Sequence, residues 1–218
     1  MKEDKKMWYP LVEEFLKKDL ECFVTMKEVG SAYVGKPDVL GARDIGGRWS
    51  GEVELIAVEV KPNRNSFGKI LGQALGYSLL AHKCYLAVYL DDDEEFSQEE
   101  KEMANRLGVG LINIGERCCK EILSSQHHAP IETLFLNIID TMGYNRCNFC
   151  GTFFQFKKYT AKSPKKAVEM KREFLYSAPM MDVSRKRKLL FTGRRDMDKL
   201  KLLVCPECIK ALHLHKIE

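Results

Sequence analysis

A buried-strand pattern that ends in charged residues sets the main limit on the fold of this chain. The segment EVELIAVEVK (residues 52–61) is short and rich in β-branched side chains, which favours a β-strand. Side chains alternate between the two faces of a strand, so Glu59 and Lys61 share one face. Pro62 then ends the strand, so both charged residues lie near the C-terminal end of the strand. Because the preceding residues 55–58 are apolar, a strand buried here would carry charge only for a reason.

Helix and strand patterns alternate on both sides of this segment. Apolar residues at helical spacing, short apolar runs and a plausible N-capping serine mark the individual elements. The predicted elements are a helix over 10–20, strands within 22–30, 36–44 and 52–61, a helix over 66–82, a strand over 83–90, a helix after Ser97 and a strand over 109–114. This order predicts an α/β domain with a mixed sheet.

Charge and composition indicate two domains in the 218 residues. Residues 151–218 contain 17 basic and 7 acidic side chains, whereas residues 1–150 contain 18 and 24. We place the boundary near Tyr144, which gives domains over 1–143 and 144–218. A basic segment of this kind favours a polyanionic partner, and a solvated basic face without a partner is the alternative.

The sequence also argues against a membrane protein. No segment approaches the roughly 18 consecutive apolar residues of a membrane helix. The start, MKEDKKMWYP, lacks the apolar stretch of a signal peptide. We therefore expect a cytoplasmic protein with no membrane partner.

Asp38 is expected close to Glu59 and Lys61. It precedes the strand that would pair with EVELIAVEVK through the turn GGRWSG. Two neighbouring carboxylates repel each other unless a cation neutralises them, and their hard oxygens suit Mg²⁺. A lysine beside the ion could orient a water molecule or stabilise charge on a phosphate, so the set favours metal-assisted phosphodiester hydrolysis. A solvated charged pair at a strand end is the alternative, and Asp44 is a second candidate for the place of Asp38.

The strings KPDV, AVEVK and GQALGY together resemble the PD-(D/E)xK nuclease superfamily, in the branch with a QxxxY motif on the following helix. The likeness covers about residues 8–115 and implies a restriction-endonuclease-like αβββαβ core. It implies that Asp38 and Glu59 bind Mg²⁺ or Mn²⁺ and that Lys61 helps to activate the water. It also implies that Gln73 and Tyr77 position the lysine or the nucleic-acid strand.

Two further groups of residues are candidates around this site. Some members of the superfamily use a glutamate from the first helix, and Glu13 and Glu14 both stay open for that place. Basic residues near the motif could contact phosphates at its rim, with plain surface solubility as the alternative. These rim residues are Lys36, Arg64 and Lys69.

Two Cys-x-x-Cys pairs predict a metal site in the second domain. Cys147 and Cys150 form one pair, and Cys205 and Cys208 form the other. Four thiolates can complete a tetrahedral zinc site without an open position, which indicates a structural role. The pairs resemble zinc-ribbon and treble-clef knuckles, and in the treble clef the second pair opens a helix, here over IKALHLHK. The 54 residues between the pairs exceed the usual ~15–20, so a long insert is expected. Redox dithiols or separate buried thiols are the alternatives.

The insert between the cysteine pairs carries basic runs interleaved with aromatic residues. Basic side chains could neutralise phosphates and aromatic rings could stack on bases, although most of the rings fit a small core of the insert itself. The predicted nucleic-acid-binding residues of the insert are Lys157, Lys158, Arg185, Lys186, Arg187, Lys188, Arg194 and Arg195.

These observations together predict a Mg²⁺-dependent nuclease that cuts DNA, with a zinc-stabilised basic domain that binds the substrate. The alternative is a catalytically inactive nucleic-acid-binding or regulatory protein on a nuclease-like scaffold. RNA as the substrate and a homodimer as the working state stay open at this point.

Overall fold

The computed structural model describes residues 5–46, 52–91, 93–147, 150–155, 175–177, 201–203, 205–208 and 215–216. The chain divides into two compact units. The first comprises Met1–Ile45 with Val53–Ile138, and the second comprises Gly46–Glu52 with Ile139–Glu218.

The first unit alternates helices and strands. Its helices are the 3₁₀ helix Lys5–Trp8, α1 (Tyr9–Lys18), α2 (Phe67–Gly76), the 3₁₀ helix Tyr77–Leu79, α3 (Gln98–Leu107) and most of α4 (Glu132–Thr141). Its strands are β1 (Val24–Lys27), β2 (Val39–Asp44), β3 (Val53–Lys61), β4 (Lys83–Tyr89), β5 (Gly110–Ile114) and β6 (Cys119–Leu123).

The six strands form one mixed sheet in the order β1-β2-β3-β4-β5-β6. The pairs β1–β2, β2–β3 and β5–β6 are antiparallel, and β3–β4 and β4–β5 are parallel. The predicted α/β class and mixed sheet are therefore confirmed. In the β2–β3 register Val39 lies opposite Val58, which brings Asp38 to the end of β3 beside Glu59.

Helices cover both faces of this sheet because β3 and β4 carry apolar side chains on both sides. Ile56, Val58 and Val60 of β3 pack in one buried cluster with residues of α1. Leu86 and Val88 of β4 pack in a second cluster with residues of α2 and α3. Since residues of a strand alternate between the faces, Glu59 and Lys61 lie on the face opposite α1.

Two predicted elements differ in the structure, and one strand has no counterpart among the predicted elements. The helix predicted over 66–82 ends at Gly76 and continues as the 3₁₀ helix Tyr77–Leu79. Strand β6 was not expected, because its sequence CKEIL has no strong apolar pattern and it lies at an edge of the sheet. The helix expected over IKALHLHK is wrong at its end, where His215–Lys216 form a strand.

The second unit contains short strands. Strands β7 (Tyr144–Arg146) and β8 (Phe153–Gln155) form an antiparallel hairpin around the first cysteine pair. Strands β9 (Leu175–Ser177), β10 (Lys201–Leu203) and β11 (His215–Lys216) form a sheet in the order β10-β9-β11.

The predicted nucleic-acid contacts of the insert all lie outside the described residues, and they are Lys157, Lys158, Arg185, Lys186, Arg187, Lys188, Arg194 and Arg195. Within the described part of the chain, every helix is too short or too polar to cross a bilayer.

The packing of β4 against β5 makes a stability prediction. Gly110 lies opposite Tyr85, and a Cβ added at Gly110 would lie 2.3 Å from Cε1 of that ring and 2.8 Å from the Ser125 nitrogen. Tyr85 is buried and its hydroxyl donates to Glu121, so the ring has little room to move. We expect Gly110→Ala to lower the free energy of unfolding by about 1–3 kcal/mol in urea denaturation.

Gly72 provides the matched control for this substitution. It lies inside α2, and no atom would come within 4 Å of an added Cβ. Gly72→Ala should therefore raise the free energy of unfolding, by about 0.5–1 kcal/mol. Equal effects of the two substitutions would contradict the close packing at Gly110.

Candidate active site and cysteine metal site

Asp38 and Glu59 form a buried acidic pair at the ends of β2 and β3. Asp38 is 4% exposed and Glu59 is fully buried. The Asp38 carboxylate accepts hydrogen bonds from the Tyr9 hydroxyl (2.7 Å to Oδ1) and from the Val60 backbone amide (2.8 Å to Oδ2). The ammonium of Lys5 lies 2.6 Å from Asp38 Oδ1 and 3.9 Å from Glu59 Oε1, so one cation faces both carboxylates.

The other motif residues surround Glu59. Lys61 Nζ lies 2.6 Å from Glu59 Oε1 and donates to Gln73 Oε1 at 3.1 Å. The Tyr77 hydroxyl donates to Glu59 Oε2 at 2.7 Å and lies 3.4 Å from Gln73 Nε2. The structure thus brings all five residues of the motif into one cluster, although Tyr77 lies beyond the end of α2.

Lys5 and Tyr9 belong to the site but were not identified from the sequence. Lys5 lies in a lysine-rich segment without periodicity, so nothing in the pattern marks it. Tyr9 starts α1, and its apolar ring is indistinguishable from a core residue in the helical pattern.

The two candidate glutamates of the first helix form their contacts away from the Asp38–Glu59 pair. Glu13 accepts a hydrogen bond from Thr25 and forms an ion pair with Lys27. Glu14 forms an ion pair with Lys18 one turn further along α1. Among the described residues, the contribution of α1 to the acidic pair is therefore the hydroxyl of Tyr9.

Burial keeps the two tyrosines of the site protonated. Burial raises the pKa of Tyr9, and the hydrogen bond to Asp38 raises it further. Burial likewise raises the pKa of Tyr77, with a further contribution from the hydrogen bond to Glu59. Both hydroxyls therefore act as hydrogen-bond donors to carboxylates over the physiological pH range.

The acidic pair could hold a hard divalent cation. Glu59 Oε1 is buried, and its contacts are ion pairs with the ammonium groups of Lys61 at 2.6 Å and Lys5 at 3.9 Å. The ammonium of Lys5 already provides positive charge that faces Asp38 and Glu59 together. Carboxylate oxygens are the donors that Mg²⁺ and Mn²⁺ prefer, so the residues present fit such an ion.

The predicted rim residues differ from one another. Lys36 and Lys69 are exposed. Arg64 donates to the carbonyl oxygen of Glu95 and lies 3.3 Å from Glu94, so its guanidinium is already bound to an acidic segment. Asp44 lies at the other end of β2 from Asp38, which leaves Asp38 as the carboxylate beside Glu59.

In the second unit, the four predicted cysteines form one cluster. Their sulfur atoms all lie within 4.8 Å of one another, and the Sγ atoms of Cys150 and Cys205 are 3.7 Å apart. Tetrahedral Zn–S bonds of about 2.3 Å place sulfur atoms about 3.8 Å apart, so the cluster could hold a metal such as zinc. The backbone amide of Cys205 donates to Cys147 Sγ at 3.3 Å, as is common for metal-binding thiolates.

The thiols of this cluster influence one another. Burial opposes ionisation of Cys150, but hydrogen bonds from Thr152 and neighbouring cysteines lower its pKa to about 7. Burial and a hydrogen bond with Cys150 raise the pKa of Cys208 to about 11. One negative charge is thus favoured and further ones are opposed, which is the electrostatic situation that a bound cation relieves.

Comparisons with known proteins leave the function of these sites to be argued from their own residues. Protein-family profiles and curated proteins give no match to the chain. A solved structure of a protein of unknown function from Silicibacter pomeroyi is similar over 65% of this chain and 86% of its own, with 18% identity and a TM-score of 0.46. A likeness at that level carries no functional inference.

The cysteine cluster predicts the metal content of the purified protein. We expect about one zinc ion per chain by elemental analysis, because four thiolates saturate one tetrahedral ion. Cys205→Ser should lower the zinc content strongly and destabilise the second unit. Cys118→Ser is the matched control, because Cys118 is exposed and outside the cluster. Zinc-free wild-type protein, or equal zinc in both variants, would contradict the site.

Proposed function

We propose that the protein is a divalent-metal-dependent nuclease that hydrolyses DNA phosphodiester bonds, and that its first unit is a restriction-endonuclease-like domain of the PD-(D/E)xK superfamily. The observation that carries the proposal is the cluster in which the buried acids Asp38 and Glu59 lie beside Lys61, with Gln73 and Tyr77 in contact with them. These residue types, in this order along the chain, match the resemblance found in the sequence.

Comparison with a second buried acid in the same sheet argues against a purely structural role of the Asp38–Glu59 pair. Glu54 is 3% exposed, and Arg43 lies 2.6 Å from its carboxylate, so one arginine pairs this acid. The Asp38–Glu59 pair instead brings two buried carboxylates together at one end of the sheet, where the Lys5 ammonium faces both of them. Like charges held close together in a buried position are typical of functional sites.

Each residue of the cluster has a role in the proposed reaction. A divalent ion held by Asp38 and Glu59 supplies positive charge for the phosphoryl oxygens when it is bound. Lys61 is held by Gln73 Oε1 and Glu59, so its ammonium is fixed where it can orient the attacking water. Tyr77 fixes the other oxygen of Glu59 and contacts Gln73, so it acts as a positioning residue.

The charge distribution supports a division of work between the units. Residues 1–150 carry more acidic than basic side chains, so they do not provide general attraction for DNA. Residues 151–218 carry the excess of basic side chains. Most of these basic residues lie in the insert, and one cysteine pair flanks the insert at each end. We therefore propose that zinc has a structural role there and that the basic insert binds the phosphate backbone.

Loss of Lys61 should abolish cleavage without abolishing binding. We expect Lys61→Ala to reduce the cleavage rate of labelled DNA by about 10²–10⁴-fold in Mg²⁺ or Mn²⁺, because a positioned lysine acts at the water. DNA affinity, measured in EDTA by fluorescence anisotropy, should change little. Lys18→Ala is the control, because Lys18 is exposed and paired with Glu14 on α1.

The assay also separates the proposal from its alternative. Single-stranded, double-stranded and branched DNA, with RNA counterparts, are tested with each metal and with EDTA. Cleavage of RNA alone would move the substrate class from DNA to RNA. Tight binding without cleavage under every condition would support the inactive nucleic-acid-binding protein. Equal cleavage by wild type and Lys61→Ala would overturn the proposed role of the lysine.

The basic insert makes a separate prediction about salt dependence. Replacing Arg185, Lys186, Arg187 and Lys188 by Gln should weaken DNA binding and flatten the slope of log K against log[salt], by about 0.9 for each phosphate that the variant no longer neutralises. The control replaces the same number of basic residues in the first unit. These are Lys17, Lys18, Arg106 and Lys120. Identical slopes for the two variants would contradict a specific role of the insert.

A further inference from the structure

Lys5 places a protein cation where the two acidic residues of the site face each other. Its ammonium lies 2.6 Å from Asp38 Oδ1 and 3.9 Å from Glu59 Oε1. With Lys61 2.6 Å from Glu59, two ammonium groups balance two buried carboxylates. The site is therefore electrically neutral without a metal ion, and Lys5 contributes the charge that reaches both acids.

Asp38 has little hydrogen-bonding capacity left while Lys5 is in place. Each carboxylate oxygen has two lone-pair sites. Oδ1 accepts from both the Lys5 ammonium and the Tyr9 hydroxyl, and Oδ2 accepts from the Val60 amide. A metal ion at Oδ1 would be a third partner and would have to replace one of these two donors. Tyr9 is buried in the core whereas the Lys5 side chain is 36% exposed, so Lys5 is the donor that can leave.

The backbone beside Lys5 is anchored, so only the side chain needs to move. Trp8, in the same 3₁₀ helix, is 5% exposed and stacks on Tyr89 of β4 with ring centroids 5.2 Å apart. A lysine side chain has four rotatable bonds and can carry its ammonium towards solvent without moving this anchor.

We propose that Lys5 is a tethered competitor of the divalent ion: its ammonium neutralises Asp38 and Glu59 in the metal-free protein and is displaced when the ion binds. The proposal rests on the proposed function, because it assumes that these two carboxylates are the metal ligands. Lys5 stabilises the metal-free state, and any group that stabilises only that state weakens metal binding by the same factor.

The test measures metal affinity directly and does not depend on cleavage. Zinc-loaded full-length protein is titrated with Mn²⁺ by calorimetry and by electron paramagnetic resonance, and Asp38→Asn defines binding outside the site. We expect Lys5→Met to bind Mn²⁺ about tenfold or more tightly than wild type, because it removes a positive charge close to the ion. Its Tm without metal should be lower than that of wild type, and its Tm gain with Mn²⁺ should be larger.

The neighbouring lysine provides the matched control. Lys6 forms an ion pair with Glu28 at 2.8 Å on the surface. Lys6→Met removes the same charge one residue away and should leave Mn²⁺ affinity close to the wild-type value. Lys5→Gln keeps a hydrogen-bond donor without the charge, and it should also bind Mn²⁺ more tightly, which covers the case that Lys5→Met fails to fold.

The outcomes distinguish this inference from the proposed function. If wild type binds Mn²⁺ and both Lys5 variants bind it equally or more weakly, the competitor role is overturned and the metal site stands. If neither wild type nor the Lys5 variants bind Mn²⁺ beyond the level of Asp38→Asn, the carboxylates are not metal ligands. In that case the proposed function fails together with the inference.

Discussion

The buried carboxylate of Asp38 is the interaction on which the geometry of the first unit's site depends. It accepts from the 3₁₀ helix through Lys5, from α1 through Tyr9 and from the end of β3 through the Val60 amide. A buried carboxylate is costly unless several donors satisfy it, so these segments are held together at one point. Glu59 is adjacent because the β2–β3 register places it there, and Tyr77 and Lys61 then have a fixed acid to contact.

The sequence predicted those parts of the fold whose pattern is local. The apolar runs of β3 and β4 and the serine cap of α3 are visible in short windows, and the structure has them where they were expected. Lys5 and Tyr9 could not be predicted, because their partner Asp38 lies 33 and 29 residues away and no periodicity marks them. The early end of α2 at Gly76 was also missed, since tertiary contacts of Tyr77 decide it.

The two candidate sites differ in the chemistry of their ligands. Oxygen atoms of Asp38 and Glu59 are hard donors, whereas the four sulfur atoms of the cysteine cluster are soft. Thiolate ligands favour zinc, whereas carboxylate ligands suit Mg²⁺ or Mn²⁺ when these ions are the more available ones. The cysteine site has no open position once four thiolates bind one ion, so the proposed hydrolysis would belong to the carboxylate site.

Under the proposed function, the charge balance at the carboxylate site would couple metal binding to substrate binding. Two carboxylates and the ammonium groups of Lys5 and Lys61 sum to zero. A divalent ion added to this set leaves an excess of positive charge, even after the Lys5 ammonium has turned towards solvent. A phosphodiester group is an anion that reduces this excess, so metal and substrate should each favour the binding of the other. A displaced Lys5 would remain tethered beside the site, where its charge could contribute to holding the phosphate.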